Sequence, residues 1–343
     1  MLFVDYGLVS AQRTDDDRST WRDIYDDVVA MAGEAERAGF DGLWVTEHHL
    51  TADGYMSALF PVLAALAVST ERLVLGTNVA LAPLYHPLRL AEDAAAVSIL
   101  SHGRLLLGLA IGYRDEEFDV IGVPKRERVP RLVECVELCR KAWTGEPFDH
   151  DGPVVRARAA LVRPVPEPAP PIWLGGWVEA GIRRAAQLGD GYISPGGGLD
   201  DTRRRVAVLD AAAEAAGRAA PLPIATANWV VLGEPRPSVL AGIAHMRRNY
   251  GEWYSSSSDE GGGRAVGHAI NASLATKAGG LPPGVIGGGT QQVIDALAPL
   301  ATAFSSARDH RLAVRLQYPG MARAEVVEHV QRFAEEVLPA LRR

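Results

Sequence analysis

The chain has 343 residues, 48% hydrophobic and 22% charged, with a formal net charge of −7. That length allows one large domain or two ordinary ones, and the composition is that of a globular chain with a substantial core. The acidic balance argues against a nucleic-acid-binding surface. No apolar run reaches the ~18 residues of a membrane helix, and Asp5 breaks the N-terminal apolar stretch, so neither a membrane span nor a signal peptide is expected.

Short β-rich runs alternate with longer helical runs from the N-terminus onward, the mark of βα units and a parallel sheet. LFVDYGL (2–8) predicts strand one, and the amphipathic run 21–39 predicts a helix stopped by Gly39. DGLWVTE (41–47) predicts strand two, 58–70 a helix and LVLGTNVA (73–80) strand three. Pro87 follows His86 at a first helical position, where its missing N–H costs nothing. RLLLGLAIG (104–112) is nearly all apolar, as a strand buried on both faces should be, and 125–144 predicts the next helix. Cys135 and Cys139 lie four residues apart on that helix and read as reduced packing residues, which fits a cytoplasmic protein.

Residues 147–171 turn at Asp151-Gly152 and return through prolines, which predicts a hairpin excursion within the same domain. The alternation resumes with strands at 172–176 and 190–194, helices at 178–188 and 200–217, strands at 223–234 and 312–318, and a last helix at 323–341. Eight strands with interleaved helices predict a single α/β domain over 1–343, a (β/α)8 TIM barrel. A doubly wound open sheet is the alternative. The Ser- and Gly-rich stretch 254–289 resists the rhythm and is expected to form a mobile lid over the barrel mouth.

In such barrels the chemistry sits at the C-terminal ends of the strands. That places Glu47, His48 and His49 at the mouth, amid mostly small and apolar strand ends. Adjacent histidines on an extended segment point to opposite sides, so the pair is not expected to bind one metal ion. No Gly-x-Ser-x-Gly, Walker lysine or Gly-x-Gly-x-x-Gly after a strand is present. Proton transfer is what remains for a histidine at a water-poor mouth. His48 is the candidate acid/base with Glu47 beside it; the competing reading has His49, and Glu47 too, satisfying buried backbone groups. Glycines at the ends of strands four and five, Gly112 and Gly175-Gly176, suit a flat or large ligand close to the backbone.

The segments AGFDGLWVTEHHL (38–50), LGTNVALAPLYHPLRLAED (75–93), SHGRLLLGLAIGYRDEEFDVIGVP (101–124) and PPIWLGGWVEAGIRRAAQLGDGYI (170–193), in that order and spacing, resemble the bacterial luciferase-like flavin-dependent monooxygenases. The resemblance implies a luciferase-like barrel with a flavin in its mouth. In the luciferase α chain the same Glu-His-His triplet follows strand two and its first histidine is an acid/base, a role that carries over to His48. It implies that Asn78, Val79 and Ala80 line the flavin ring, where the family often has a non-proline cis peptide. It implies a phosphate seat at Gly175, Gly176 and Trp177, before a helix starting near Val178, with Arg183 or Arg184 as candidate help. Ala110 and Ile111 depart from luciferase's reactive cysteine and arginine and argue against light emission. The family has an FMN branch, fed reduced flavin by a separate reductase, and a deazaflavin branch that transfers hydride. The triplet and His86-Pro87 favour FMN. The expectation is a homodimeric FMN monooxygenase oxygenating a small uncharged or aromatic molecule, with secondary metabolism as its setting. The alternatives are a deazaflavin-dependent dehydrogenase and a non-catalytic flavin-binding protein.

Overall fold

Eight strands pair in parallel, each with its neighbour along the chain, until the last closes on the first. The computed structural model describes residues 1–218, 221–255 and 280–342. The ring runs β1 (Leu2–Val9), β2 (Gly42–Val45), β3 (Val74–Thr77), β5 (Leu105–Ala110), β8 (Ile172–Gly175), β9 (Gly191–Ser194), β10 (Ile224–Leu232) and β12 (His310–Arg315). This is the (β/α)8 barrel that the alternation predicts, and it excludes the open sheet. The helices α1 (Trp21–Arg37), α2 (Leu59–Ser69), α3 (Pro87–Leu100), α4 (Asp115–Ile121), α5 (Arg128–Ala142), α6 (Glu179–Leu188), α7 (Gly198–Ala215), α8 (Pro237–Ser255), α9 (Thr290–Ser305) and α10 (Arg323–Glu336) fill the connections. None among the described residues is long and apolar enough to cross a membrane.

Local chemistry sets the boundaries. Thr20 and Asp23 cap α1 reciprocally, each satisfying the other's backbone N–H. His86 is the N-cap of α3, with Pro87 inside it. Alternate residues of each strand face inward. Trp44, Leu106, Trp173, Ile193, Ala225 and Ala313 fill the barrel interior. The two indoles need room: a Cβ on Gly76 would lie 2.4 Å from the Trp44 ring, and one on Gly191 2.5 Å from the Trp173 ring. Below the mouth, buried Asp5 pairs with Arg311 at 2.8 Å and accepts from Trp44 Nε1 at 2.7 Å. Cys135 and Cys139 are buried, unbridged thiols of α5 packed in the outer core.

Three strand and helix boundaries differ from expectation. Strand three breaks after Thr77 at a cis Asn78–Val79 peptide and resumes as β4 (Ala80–Leu81), paired with Leu109 and Ala110. Strand eight starts at His310, because His310 and Arg311 find buried partners that a polarity pattern does not show. The stretch 115–144 holds two helices, α4 and α5, joined by a single 3₁₀ turn at Lys125–Glu127. Residues 148–151 (β6) and 156–160 (β7) form an antiparallel hairpin. Of the stretch expected as a lid, 256–279 lies outside the described residues. Its N-terminal end continues α8, and Val285–Gly288 is a strand (β11) parallel to β10; glycine richness hides a strand whose backbone does the pairing.

Candidate active site

The triplet follows β2 directly, where the backbone leaves the sheet. Thr46 N still bonds Val9 O at 3.0 Å, and His48 N bonds Met56 O at 3.1 Å. Leu50, at φ 56, turns the chain away. The two histidines diverge, as an extended segment requires. His48 Nδ1 lies 3.0 Å from Glu117 Oε1, whereas His49 Nε2 lies 3.3 Å from Glu47 Oε1, an ion-pair contact without hydrogen-bond alignment. Each histidine therefore has its own carboxylate, and the pair shares no ligand position.

Glu117 comes from α4, which the sequence reading passed over. Its side chain is fully buried. Its Oε1 also accepts from His49 N at 2.8 Å, with Arg114 Nη1 at 3.4 Å. Burial pushes the Glu117 pKa up, but the hydrogen bond and charge of His48, the His49 amide and Arg114 outweigh it, and the carboxyl is held below its ordinary range. With Nδ1 donating to that carboxylate, His48 Nε2 is the nitrogen left to accept. It lies 3.3 Å from Tyr113 Oη. Rings enclose the imidazole: Trp253 at 4.7 Å, Tyr55 at 4.9 Å, Tyr113 at 5.5 Å and Tyr250 at 6.5 Å between centroids. Trp253 and Tyr250 sit three apart on α8, on one helix face. Arg114 lies over the Trp253 ring at 4.6 Å, and Tyr55 and Tyr250 hydroxyls meet at 3.2 Å.

Glu47 faces elsewhere. It accepts from Leu81 N at 2.5 Å and from the Tyr85 hydroxyl, tying β2 to the segment after the cis peptide. Burial opposes charge on His49, but Glu47 and then Glu117 outweigh that and raise its pKa. Of the expected ring-lining residues, Val79 reaches across to β8: a Cβ on Gly175 would lie 3.2 Å from Val79 Cγ1 and 3.7 Å from Ala110 Cβ. Ala80 is fully buried, and Gly112 has φ 70, where a Cβ would lie 3.1 Å from the Phe118 ring.

At the expected phosphate seat, Gly176 is explained first by packing, since a Cβ there would lie 2.9 Å from the Gly181 backbone. Val178 is the N-cap of α6 and supplies no side-chain cap; Gly181 N bonds Val178 O at 2.9 Å, which leaves the N–H groups of Glu179 and Ala180 to face an anion. Arg205 lies over the Trp177 ring at 5.3 Å and donates to Pro195 O and Gly196 O, so it braces this end of the mouth. Arg183 is exposed and bonded to Glu179 at 2.5 Å; Arg184 is half-buried, its pKa lowered by burial and by Arg128. Two observations fit a flavin-type cofactor. Asn78 Nδ2 is buried with no partner among the described residues, a donor left for a ring acceptor. Gly175 leaves the end of β8 without a side chain of its own, beside Val79 and Ala110.

The sequence reading put the triplet and the end of strand four, through Tyr113, at the mouth, but it did not single out Glu117, Tyr55, Tyr250 or Trp253 as neighbours of His48. Spatial neighbours from three connections, those after β2, β5 and β10, leave no spacing signature. A usable signal was GYRDEEF, where Tyr, Arg and Glu follow strand four within reach of the mouth.

Residues 4–305 match the family model described as luciferase-like monooxygenase. The F420-dependent hydroxymycolic acid dehydrogenase of Mycobacterium tuberculosis is 32% identical over 280 residues, 79% of this chain and 77% of that protein. The oxygenase component of a flavin-dependent trigonelline monooxygenase from Acinetobacter baylyi is 32% identical over 162 residues, 46% of this chain and 45% of that protein. Among solved structures, monooxygenase RslO1 from Streptomyces bottropensis superposes with a TM-score of 0.78 at 21% identity, covering 98% of this chain and 99% of that one. An F420-dependent secondary alcohol dehydrogenase in complex with an F420-acetone adduct superposes at 0.75 with 19% identity, over 100% of both chains. The last two share the fold; flavin monooxygenases and deazaflavin dehydrogenases both stand among the relatives. With its fold and this match over most of its length, the chain belongs to the luciferase-like monooxygenase family of oxidoreductases.

Proposed function

We propose that the protein is a monooxygenase that takes reduced FMN from a separate reductase and oxygenates a small organic substrate. The observation that carries the reading is the His48 imidazole, fixed by Glu117 and walled by four aromatic rings at the mouth. When bound, the reduced flavin would supply the two electrons that split dioxygen, one atom going to the substrate and one to water. Asn78 and the Val79–Gly175 wall would hold its ring, and the turn Gly175–Val178 its phosphate. His48 Nε2 would give or take the proton, while Glu117 orients the ring and stabilises the imidazolium. Trp253, Tyr250 and Tyr55 would exclude water, which matters for any short-lived oxygenating species.

A second reading has its own support. The match covering 79% of this chain is to an F420-dependent dehydrogenase, and the same His48–Glu117 pair would serve proton transfer beside a hydride step. Titrating the protein anaerobically with reduced FMN and, separately, with the reduced deazaflavin, then admitting air, separates the two. Binding of reduced FMN followed by an oxygen-dependent absorbance transient, shortened in His48→Ala, is the expected result. Binding of the deazaflavin alone, with no such transient, would replace the monooxygenase by the dehydrogenase.

A further inference from the structure

Inward-facing positions on β12 recur every second residue: Arg311, Ala313 and Arg315. The lower guanidinium, Arg311, has its carboxylate in Asp5 at 2.8 and 2.9 Å. The upper one, Arg315, is at the end of the strand and only 2% exposed, and it has none. Among the described residues no carboxylate lies within ion-pair distance of it, and its Nε has no partner. Its side-chain contacts are Ser10 Oγ at 3.4 Å, Met246 Sδ at 3.5 Å and the Trp229 ring at 5.4 Å. Tyr6 and Tyr318 feel its charge, but burial holds both phenols un-ionised, so neither is a counter-charge at neutral pH. A buried cation without an anion is costly, and an anion arriving from outside would relieve that cost.

The place is continuous with His48. Ser10 O accepts from Met56 N at 2.7 Å, and Met56 O accepts from His48 N. Trp229 touches Tyr250, and Tyr250 touches His48. The site lies across the barrel from the Gly175–Val178 turn, since β12 and β1 are far from β8 in the ring. An anion held by Arg315 is therefore not at the seat offered to a cofactor phosphate.

We propose that Arg315 anchors a carboxylate on the substrate, so that the mouth takes an aromatic or apolar acid with its anionic end at β12 and its body against Trp229, Tyr250 and His48. Guanidinium suits that group because its planar fork matches a carboxylate's two oxygens. The proposal rests on the reading above only in that the mouth receives the substrate; it holds for either cofactor.

Calorimetric titration of the cofactor-free protein with benzoate and with neutral benzamide is the test. Benzoate should bind about tenfold or more tighter than benzamide, the worth of one charged hydrogen-bonded contact. Arg315→Met should abolish that preference and leave benzamide unchanged, with the melting temperature kept or raised because an unpaired buried charge is gone. Arg315→Lys should keep part of the preference. Oxidised FMN should leave benzoate affinity unchanged. Equal binding of the two probes, or no binding of either, overturns the proposal without using any variant. So does a melting temperature that collapses in both variants, which makes Arg315 structural, or displacement of benzoate by FMN, which makes it a cofactor residue. No turnover is involved, so failure of the monooxygenase reading leaves these outcomes intact.

Discussion

Two buried carboxylates stand on either side of the histidine pair, and their partners assign them different work. Glu117 meets the His48 ring, so His48→Gln should lower turnover by roughly 10²–10⁴-fold, the usual worth of a general acid or base, with cofactor affinity retained. Glu117→Gln, which keeps the shape and removes the charge, should lower turnover by a smaller factor; steady-state rates at fixed cofactor saturation decide both. Unchanged turnover in His48→Gln would remove the histidine from the chemistry. Glu47 instead holds Leu81 N and Tyr85. Glu47→Ala strands a buried N–H and should cost about 1.5–3 kcal/mol of stability, read as a lower urea midpoint at constant slope. The triplet was legible because three polar residues end an apolar strand. The division of labour was not, because Glu117 lies in an acidic first turn, Asp115-Glu116-Glu117, that reads as a solvated helix face. Only the fold shows that one of those three acids points inward.

Elements carry the next prediction. The turn from β8 into α6 brings two backbones together at Gly176 and Gly181, with no side chain between them. Gly176→Ala must push the first turn of α6 outward, at a cost of about 1–3 kcal/mol for overpacking. If that turn holds a phosphate, FMN affinity should fall about tenfold or more while riboflavin affinity barely changes. Equal losses for both would place the ring, and not the phosphate, against this turn. The eight barrel strands were legible because each is a short apolar run bounded by glycine, proline or polar residues. Helix α8 was not. It alternates Arg247, Arg248 and Asn249 with Met246, Tyr250 and Trp253, and its inward face is aromatic, so it lacks an aliphatic stripe. It nonetheless supplies two of the four rings around His48 and, through His245 and Asn249, two donors to Asp53 at 2.9 and 2.7 Å.

At the scale of the whole molecule, closure of the barrel sets how the fold responds to acid. His310 opens β12, pairs with Leu2 on one side and Ile224 on the other, and is completely buried. Its Nε2 lies 2.9 Å from Thr226 Oγ1, and Phe304 packs edge-on at 5.6 Å. Burial lowers its pKa from 6.5 to about 4. Between those values the unfolded chain binds a proton that the folded chain does not, so stability falls as pH falls through this window. For one such group the loss between pH 6.5 and 5 is roughly 1.5 kcal/mol. Buried His329, its pKa also lowered by burial, acts in the same sense. Asp5 acts in the opposite one: burial raises its pKa despite Arg311 and Trp44, so the folded state holds its proton more tightly as the solution turns acid. The net curve therefore mixes both signs, and a single-site comparison isolates the histidine. His310→Gln keeps a hydrogen-bonding group opposite Thr226 but cannot titrate. Urea unfolding at pH 6.5 and pH 5 should show the wild-type protein losing more stability than the variant over that interval. Identical losses would mean that His310 is protonated within the closed barrel, and that acid sensitivity arises elsewhere in the ring.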